Sequence, residues 1–173
     1  LGEFVLASDS VIPTFTRWTK MSHIIGQVPE EENEAFRSVG YTMGGMMIFP
    51  ANKVDGKQTI NGARGFNAKI SDRFDLTLEC VRRHYLDEAS PLGDTLARYR
   101  SFFDLFGDFR GYVEFFLLRD LVTEDYSAVR FFMSFDDFRS SSVPRNKEAY
   151  IRYRANSIGF VKSRNERIAL ATR

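Results

Sequence analysis

The residues able to do chemistry in this chain are mostly arginines and carboxylates, and their spacing points to ion pairs and anion binding. Asp72, Asp75, Glu79, Arg82 and Arg83 recur at helical intervals over 72–86. Carboxylates sharing a helix face can ligate a divalent cation through oxygen. Glu79, however, stands three residues before Arg82 and four before Arg83, the order that favours ion pairing along a helix. Without a histidine or a further acid nearby, a salt-bridged face is the better reading, and no metal site is expected. A second candidate is Asn61-Gly62-Ala63-Arg64-Gly65, read as a glycine-rich loop a few residues before that helix. Glycines let backbone approach an anion, and Lys57, Arg64, Lys69 and Arg73 add positive charge. The string matches neither the P-loop nor the dinucleotide fingerprint. Asp72 and Asp75 would repel phosphate at the same helix end, so a structural turn competes with a phosphate cradle.

The last helix is the most informative element. Ile151, Ile158, Val161 and Ile168 set an apolar face, and Arg154, Ser157 and Asn165 fall within it, with Arg164 at its border. Polar groups on a core-facing stripe need partners, because burying them unpaired costs roughly 1–3 kcal/mol each. A satisfied structural network explains them. So does a polar pocket shared with the 72–86 helix, in which Arg154 or Arg164 contacts Asp72, Asp75 or Glu79. The expected ligand-binding set is therefore Arg64, Arg82, Arg83, Arg154, Arg164 and Asn165. No catalytic residue is assigned. Cys80, the one cysteine, has only His84 as a local base and reads as a buried, inert thiol. His23 and His84 are in no metal-ligand spacing, and no cofactor motif is present.

The elements that must position these groups are mainly helical. Thr16 suits the cap of a helix from Arg17 to about Gln27, with Trp18, Met21, Ile24 and Ile25 on one face. Pro29 followed by Glu30-Glu31-Glu32 marks the first turn of another, ending near Gly40. Met46-Met47-Ile48-Phe49, the Asp55-Gly56 turn signal and Gln58-Thr59-Ile60 suggest a β-hairpin near 46–60. Ser71 then opens the helix bearing Phe74, Leu78, Val81 and Tyr85. Ser90-Pro91 opens the next, with Leu92, Leu96, Tyr99, Phe103 and Phe106 on one face. Asp108 caps a third whose Phe115-Phe116-Leu117-Leu118 run suggests a central position. Residues 127–135 fit a strand or a buried helical turn, 139–144 a loop, and Lys147 to Ile168 the final helix. The expected fold is thus mainly α, a single globular helical domain over 1–173 with a small β-hairpin.

Composition agrees. The chain has 173 residues, 43% of them hydrophobic and 27% charged, with a net charge of +1. These are the proportions of one globular domain, and the charge excludes a strongly basic nucleic-acid coat. No apolar run reaches the roughly 18 residues of a membrane span. A single cysteine excludes an internal disulfide framework and fits a reducing cytoplasm. The 17 Phe, 7 Tyr and 1 Trp promise a substantial core. An aromatic ligand pocket or a base-stacking platform is the sharper alternative, but the Phe pairs at 102–103, 115–116 and 131–132 do not alternate as exposed stacking residues would. Leu1, Phe4, Val5 and Leu6 are apolar for a chain end, and with no initiating Met they suggest a fragment lacking an N-terminal segment. They are expected to pack on the body or on that segment.

Arg164-Asn165 resembles the first half of the motif of the HEPN ribonucleases, Arg followed after four to six residues by His. The expected histidine is missing, since Leu170 stands after a five-residue gap and no histidine follows Arg164. Arg17 and His23 have the right gap, which chance supplies readily in an arginine-rich chain. The strings 59–66, 72–80, 111–118 and 160–168 resemble, over nearly the whole chain, a bacterial family known only as a domain of unknown function. That resemblance implies a cytosolic bacterial origin and no activity, so no catalytic residue is carried over. The functional expectation is a non-catalytic binding or regulatory domain recognising a phosphate-bearing small molecule or RNA, without a cofactor or membrane association, and with homo-oligomers open. The alternative is a metal-independent, HEPN-like nuclease or another phosphate-processing enzyme.

Overall fold

The computed structural model describes residues 1–10, 19 and 21–172. Its elements, in chain order, are β1 (Leu6–Ser10), α1 (Ser22–Ile25), α2 (Glu30–Gly40), β2 (Met46–Pro50), α3 (Ile60–Phe66), α4 (Phe74–Tyr85), α5 (Gly93–Ala97), α6 (Arg100–Phe103), α7 (Phe109–Phe115) and α8 (Lys147–Ala171). The architecture is mainly α with a small two-stranded antiparallel sheet. No helix among the described residues is long and apolar enough to cross a membrane.

The sheet is not the expected hairpin. β2 pairs with β1, from Leu6 opposite Pro50 to Ser10 opposite Met46. The Asp-Gly turn does form: Asp55 and Gly56 have φ of 53° and 69°, and Lys57 N–H reaches Val54 C=O at 3.0 Å. Thr59 then caps a helix instead of continuing a strand, its hydroxyl accepting from Gly62 N–H at 3.2 Å. The glycine string is therefore helix α3, not a loop. Side chains alternate across β2, so Met47 and Phe49 are buried while Met46 and Ile48 face the opposite side. Asp9, opposite Met47, emerges on the face that meets α3.

The helix after Ser71 starts two residues later than expected, at Phe74. Ser71 and Asp72 have φ of 47° and 59°, left-handed values that a right-handed helix excludes. The helix expected after Ser90-Pro91 breaks into α5, α6 and a 3₁₀ turn, yet Leu92, Leu96, Tyr99 and Phe103 are buried as their spacing suggests. Asp108 caps α7 by accepting from Gly111 N–H at 2.7 Å. That helix stops where Leu117 takes a φ of 55°, which leaves Phe115 56% exposed and the helix less central than its composition implies. Residues 127–135 form neither strand nor helix; an isolated bridge joins Val122 to Val129.

α8 is the longest element, capped by Asn146 through Ala149 N–H at 2.9 Å. Its buried stripe is Tyr150, Tyr153, Arg154, Ser157, Phe160, Val161 and Arg164. Ile151 is 38% exposed, so the true stripe lies about one residue from the one the isoleucines suggest. α2 packs against it, with Phe36 edge-on to Tyr153 and Tyr150 OH donating to Asn33 Oδ1 at 2.8 Å. Pro29 and three glutamates begin α2 as expected. Of the helix expected from Arg17, α1 is seen; Thr16, Arg17 and Trp18 lie outside the described residues. Among the described residues ten phenylalanines are buried, so the aromatic excess builds core. Phe4 packs edge-on against Phe102 at 5.5 Å, whereas Val5 is 63% exposed.

Candidate functional site

Each expected site arginine already has partners within the fold. Arg64 is fully buried. Its Nε donates to Thr77 Oγ1 at 3.2 Å, Nη1 to Asp9 Oδ2 at 3.1 Å and Nη2 to Asp72 C=O at 2.5 Å. Nη1 also lies 3.4 Å from the Asp72 carboxylate. Burial lowers its pKa, with Asp72 and Asp9 opposing that shift. Gly65 is what lets Asp72 come so near, because a Cβ there would meet its Oδ1 at 3.1 Å. Arg82 and Arg83 both take Glu79, each through Nε at 2.8 Å, and Arg83 adds Asp137 at 2.6 Å. The ion-paired face expected of α4 is thus present.

The expected meeting of the last helix with the α4 carboxylates does not occur. Arg154 pairs with Glu32 of α2. Arg164 donates to the carbonyls of Phe116, Gly44 and Met46. Asp75 is already held by Arg73 and accepts from Phe132 N–H at 2.8 Å, while Asp72 faces Arg64. Asn165 secures the turn before β2, accepting from Gly44 N–H at 2.7 Å and donating to Thr42 Oγ1 at 2.7 Å. The six residues therefore act at four separate places, not around one cleft. Burial pushes the Cys80 thiol up to about 12, which removes its nucleophilicity. His84 is half-buried beside Phe103, its pKa lowered by burial and by Arg100. Among the described residues no three His, Cys, Asp or Glu side chains converge as metal ligands do.

A cleft of about 680 Å³ lies elsewhere, between residues 131–135, the 140–145 loop and the first turns of α8. Its walls are tied down. Asn156 Nδ2 donates to Phe132 C=O at 3.0 Å, and Asp75 holds Phe132 from the other side. Ser142 donates to Ala68 C=O at 2.7 Å and lies 2.8 Å from Ser71 Oγ. Its own C=O accepts from Arg73 Nη1 at 3.2 Å. Phe131 and Phe135 stack in parallel, 4.0 Å between centroids and 12° between planes.

Two arginines, Arg145 and Arg152, line this cleft, and neither makes an ion pair or side-chain hydrogen bond among the described residues. Glu148, four residues before Arg152, does not close on it. No carboxylate lines the cleft, and Ser140, Ser141 and Asn156 supply neutral polar groups. An adjoining cleft shares Phe131, Phe132 and Asn156 and adds Arg130 together with Asp120. The arrangement can hold an anion through two guanidinium groups and hydroxyls, with apolar surface beside it. Its lining offers no His, Cys, Asp, Glu or Lys to act as a base or nucleophile. Sequence reading missed Arg145 and Arg152. The one available signal was the hydroxyl-rich 139–144 stretch between Arg139 and Arg145, which reads as an ordinary loop.

The chain matches the family of unknown function DUF6994 over residues 1–168, and it belongs to that family. Neither a curated protein nor a solved structure matches it.

Proposed function

Since membership of a family of unknown function carries no activity with it, we propose from the cleft alone that this is a ligand-binding domain for a phosphate-bearing small molecule with a flat or apolar portion, the chemistry of a mononucleotide. The observation that carries this is the contrast between arginines. Arg64, Arg82, Arg83, Arg154 and Arg164 serve internal partners, whereas Arg145 and Arg152 have no ion-pair partner among the described residues and stand in a large cleft whose described lining holds no acid. Two free guanidinium groups suit a phosphate dianion, which each can bind in a two-pronged manner. The faces around Phe131 and Phe135 suit a ring or apolar tail. The fixed walls limit the ordering lost on binding. The sole thiol fits a reducing compartment such as a bacterial cytoplasm.

Calorimetric titration with AMP, adenosine and inorganic phosphate tests this reading. AMP should bind with one-to-one stoichiometry and adenosine should bind far more weakly. Arg145→Ala and Arg152→Ala should each weaken AMP by about tenfold or more, the loss of a charge-assisted contact. Both side chains are on exposed residues, so the melting temperature should stay within about 2 °C of the parent. Equal affinity for AMP and adenosine, or full affinity in the double variant, would refute the assignment.

A further inference from the structure

A second cavity, of about 670 Å³, opens over the sheet face opposite Arg64. Met46 and Ile48 of β2, Phe115, Phe116 and Leu117 at the end of α7, and Ile168 of α8 give it apolar walls. Leu1 and Leu6 complete the apolar wall, and Arg164 carries the one charged side chain in the described lining. That side chain is 4% exposed, and burial lowers its pKa to about 10, so it remains a cation at neutral pH. Its Nε reaches Phe116 C=O at 3.1 Å, and its Nη1 reaches Gly44 and Met46 C=O at 3.0 and 2.7 Å. The Phe74 ring lies 5.4 Å from Cζ. No carboxylate comes within 4 Å among the described residues, and Nη2 donates to none of them. The charge is offset only by carbonyl dipoles and a ring face. In surroundings of low polarity such a cation attracts an anion far more strongly than it would in water. The walls, meanwhile, gain from covering by hydrocarbon.

We propose that this groove binds a single-chain carboxylate of the fatty-acid type, its head group on Nη2 of Arg164 and its chain along Met46, Ile48 and Phe115. One free nitrogen and one cationic side chain match a monoanion; a phosphate dianion would bring a second charge that no other side chain of the described lining neutralises. Exposed Phe115 and Met43, 56% and 68% accessible, form an apolar rim that a bound chain would cover. This site is separate from the phosphate cleft and does not depend on it.

Titration with dodecanoate, dodecanol and dodecyltrimethylammonium tests the pairing of charge and chain. Dodecanoate should bind saturably at one per chain, and the other two at least about tenfold more weakly. Arg164→Met alone is a poor test because three carbonyls depend on that side chain. Phe115→Glu places a negative charge on the exposed rim and should weaken dodecanoate by about tenfold. That variant should leave the circular dichroism spectrum and AMP binding unchanged. Absence of saturable binding, equal affinity for the alcohol, or indifference to Phe115→Glu would overturn the proposal. A dimer that Phe115→Glu dissociates, with no dodecanoate bound, would also overturn it by giving the groove to a second copy of the chain.

Discussion

At the scale of the residue, two kinds of arginine divide the molecule. Arg64 is wholly enclosed, and the carboxylate of Asp72 beside it is equally enclosed. Removing one member of a buried pair leaves the other charge without compensation, which is strongly destabilising, by about 3–5 kcal/mol. Arg64→Met should therefore lower the unfolding free energy by an amount in that range, read from urea denaturation. Asp9, one-third exposed, should contribute less, because water screens its side of the pair. Arg152→Ala removes a side chain with no ion-pair or hydrogen-bond partner among the described residues and should shift stability by no more than about 0.5 kcal/mol. The two substitutions separate structural from ligand-facing arginines without any ligand in hand. A loss on Arg64→Met as small as that on Arg152→Ala would mean that the buried network contributes little. The same division explains what the residues alone could disclose. Glu79 with Arg82 and Arg83 was legible because the pairing is local to one helix. Arg154 with Glu32 was not, because it depends on α2 lying against α8. An unpaired arginine is defined by what fails to approach it, so spacing cannot single out Arg145 or Arg152.

At the scale of the element, close backbone approach decides the joint between α8 and the 3₁₀ turn Met43–Gly45. A Cβ on Gly44 would stand 2.4 Å from Val161 C=O and 2.9 Å from Asn165 Oδ1. The neighbour is helix backbone, which cannot yield as a flexible side chain does. Gly44→Ala should destabilise by about 1–3 kcal/mol, the usual effect of overpacking a fitted contact. It should also disturb Arg164, which binds the Gly44 carbonyl. Gly159, on the exposed side of α8, has nothing within 4 Å of the same added atom. Gly159→Ala should instead stabilise by about 0.5–1 kcal/mol through helix propensity. Denaturation of both variants checks the pair, and equal effects would remove the argument from contact. Elements whose ends carry local signals were readable from sequence: Pro29 with three acids for α2, Asp108 for α7. α3 was hidden because its glycines resemble a loop, although Thr59 is an ordinary helix cap. The sheet was misassigned because β1 and β2 pair across α1 and α2, a long-range match that no turn signal marks. The short strand and the Asp-Gly turn were both present, but they belong to different connections.

At the scale of the whole molecule, buried phenols link stability to alkaline pH. Tyr112 and Tyr153 are 2% and 0% exposed, and burial raises both pKa values well above the usual 10. Arg164 and Arg64 near Tyr112, and Arg73 near Tyr153, oppose the rise without cancelling it. Desolvation thus outweighs the nearby positive charge at both sites. The sign follows from proton counts. Above the ordinary tyrosine pKa the unfolded chain loses these protons while the folded chain keeps them. Fewer bound protons in the unfolded state make the unfolding free energy fall as pH rises. The stabilisation is fully present below pH about 10 and is lost as pH climbs toward the folded-state values. These two groups alone contribute about 2.7 kcal/mol per pH unit to the limiting slope, steep beside the 5–15 kcal/mol that holds a typical domain, and burial raises Tyr85, Tyr99 and Tyr150 in the same direction. The protein should therefore unfold cooperatively on alkaline titration, with tyrosinate absorbance and loss of helical circular dichroism coinciding. Tyr112→Phe keeps the ring among Tyr85, Phe103, Phe106 and Phe116 and removes one titrating proton. It should lower the limiting slope by about 1.4 kcal/mol per pH unit and move the alkaline midpoint upward. Tyrosinate signal appearing well before helix is lost would show that these phenols ionise inside the folded chain, and the linkage between core and pH would fail.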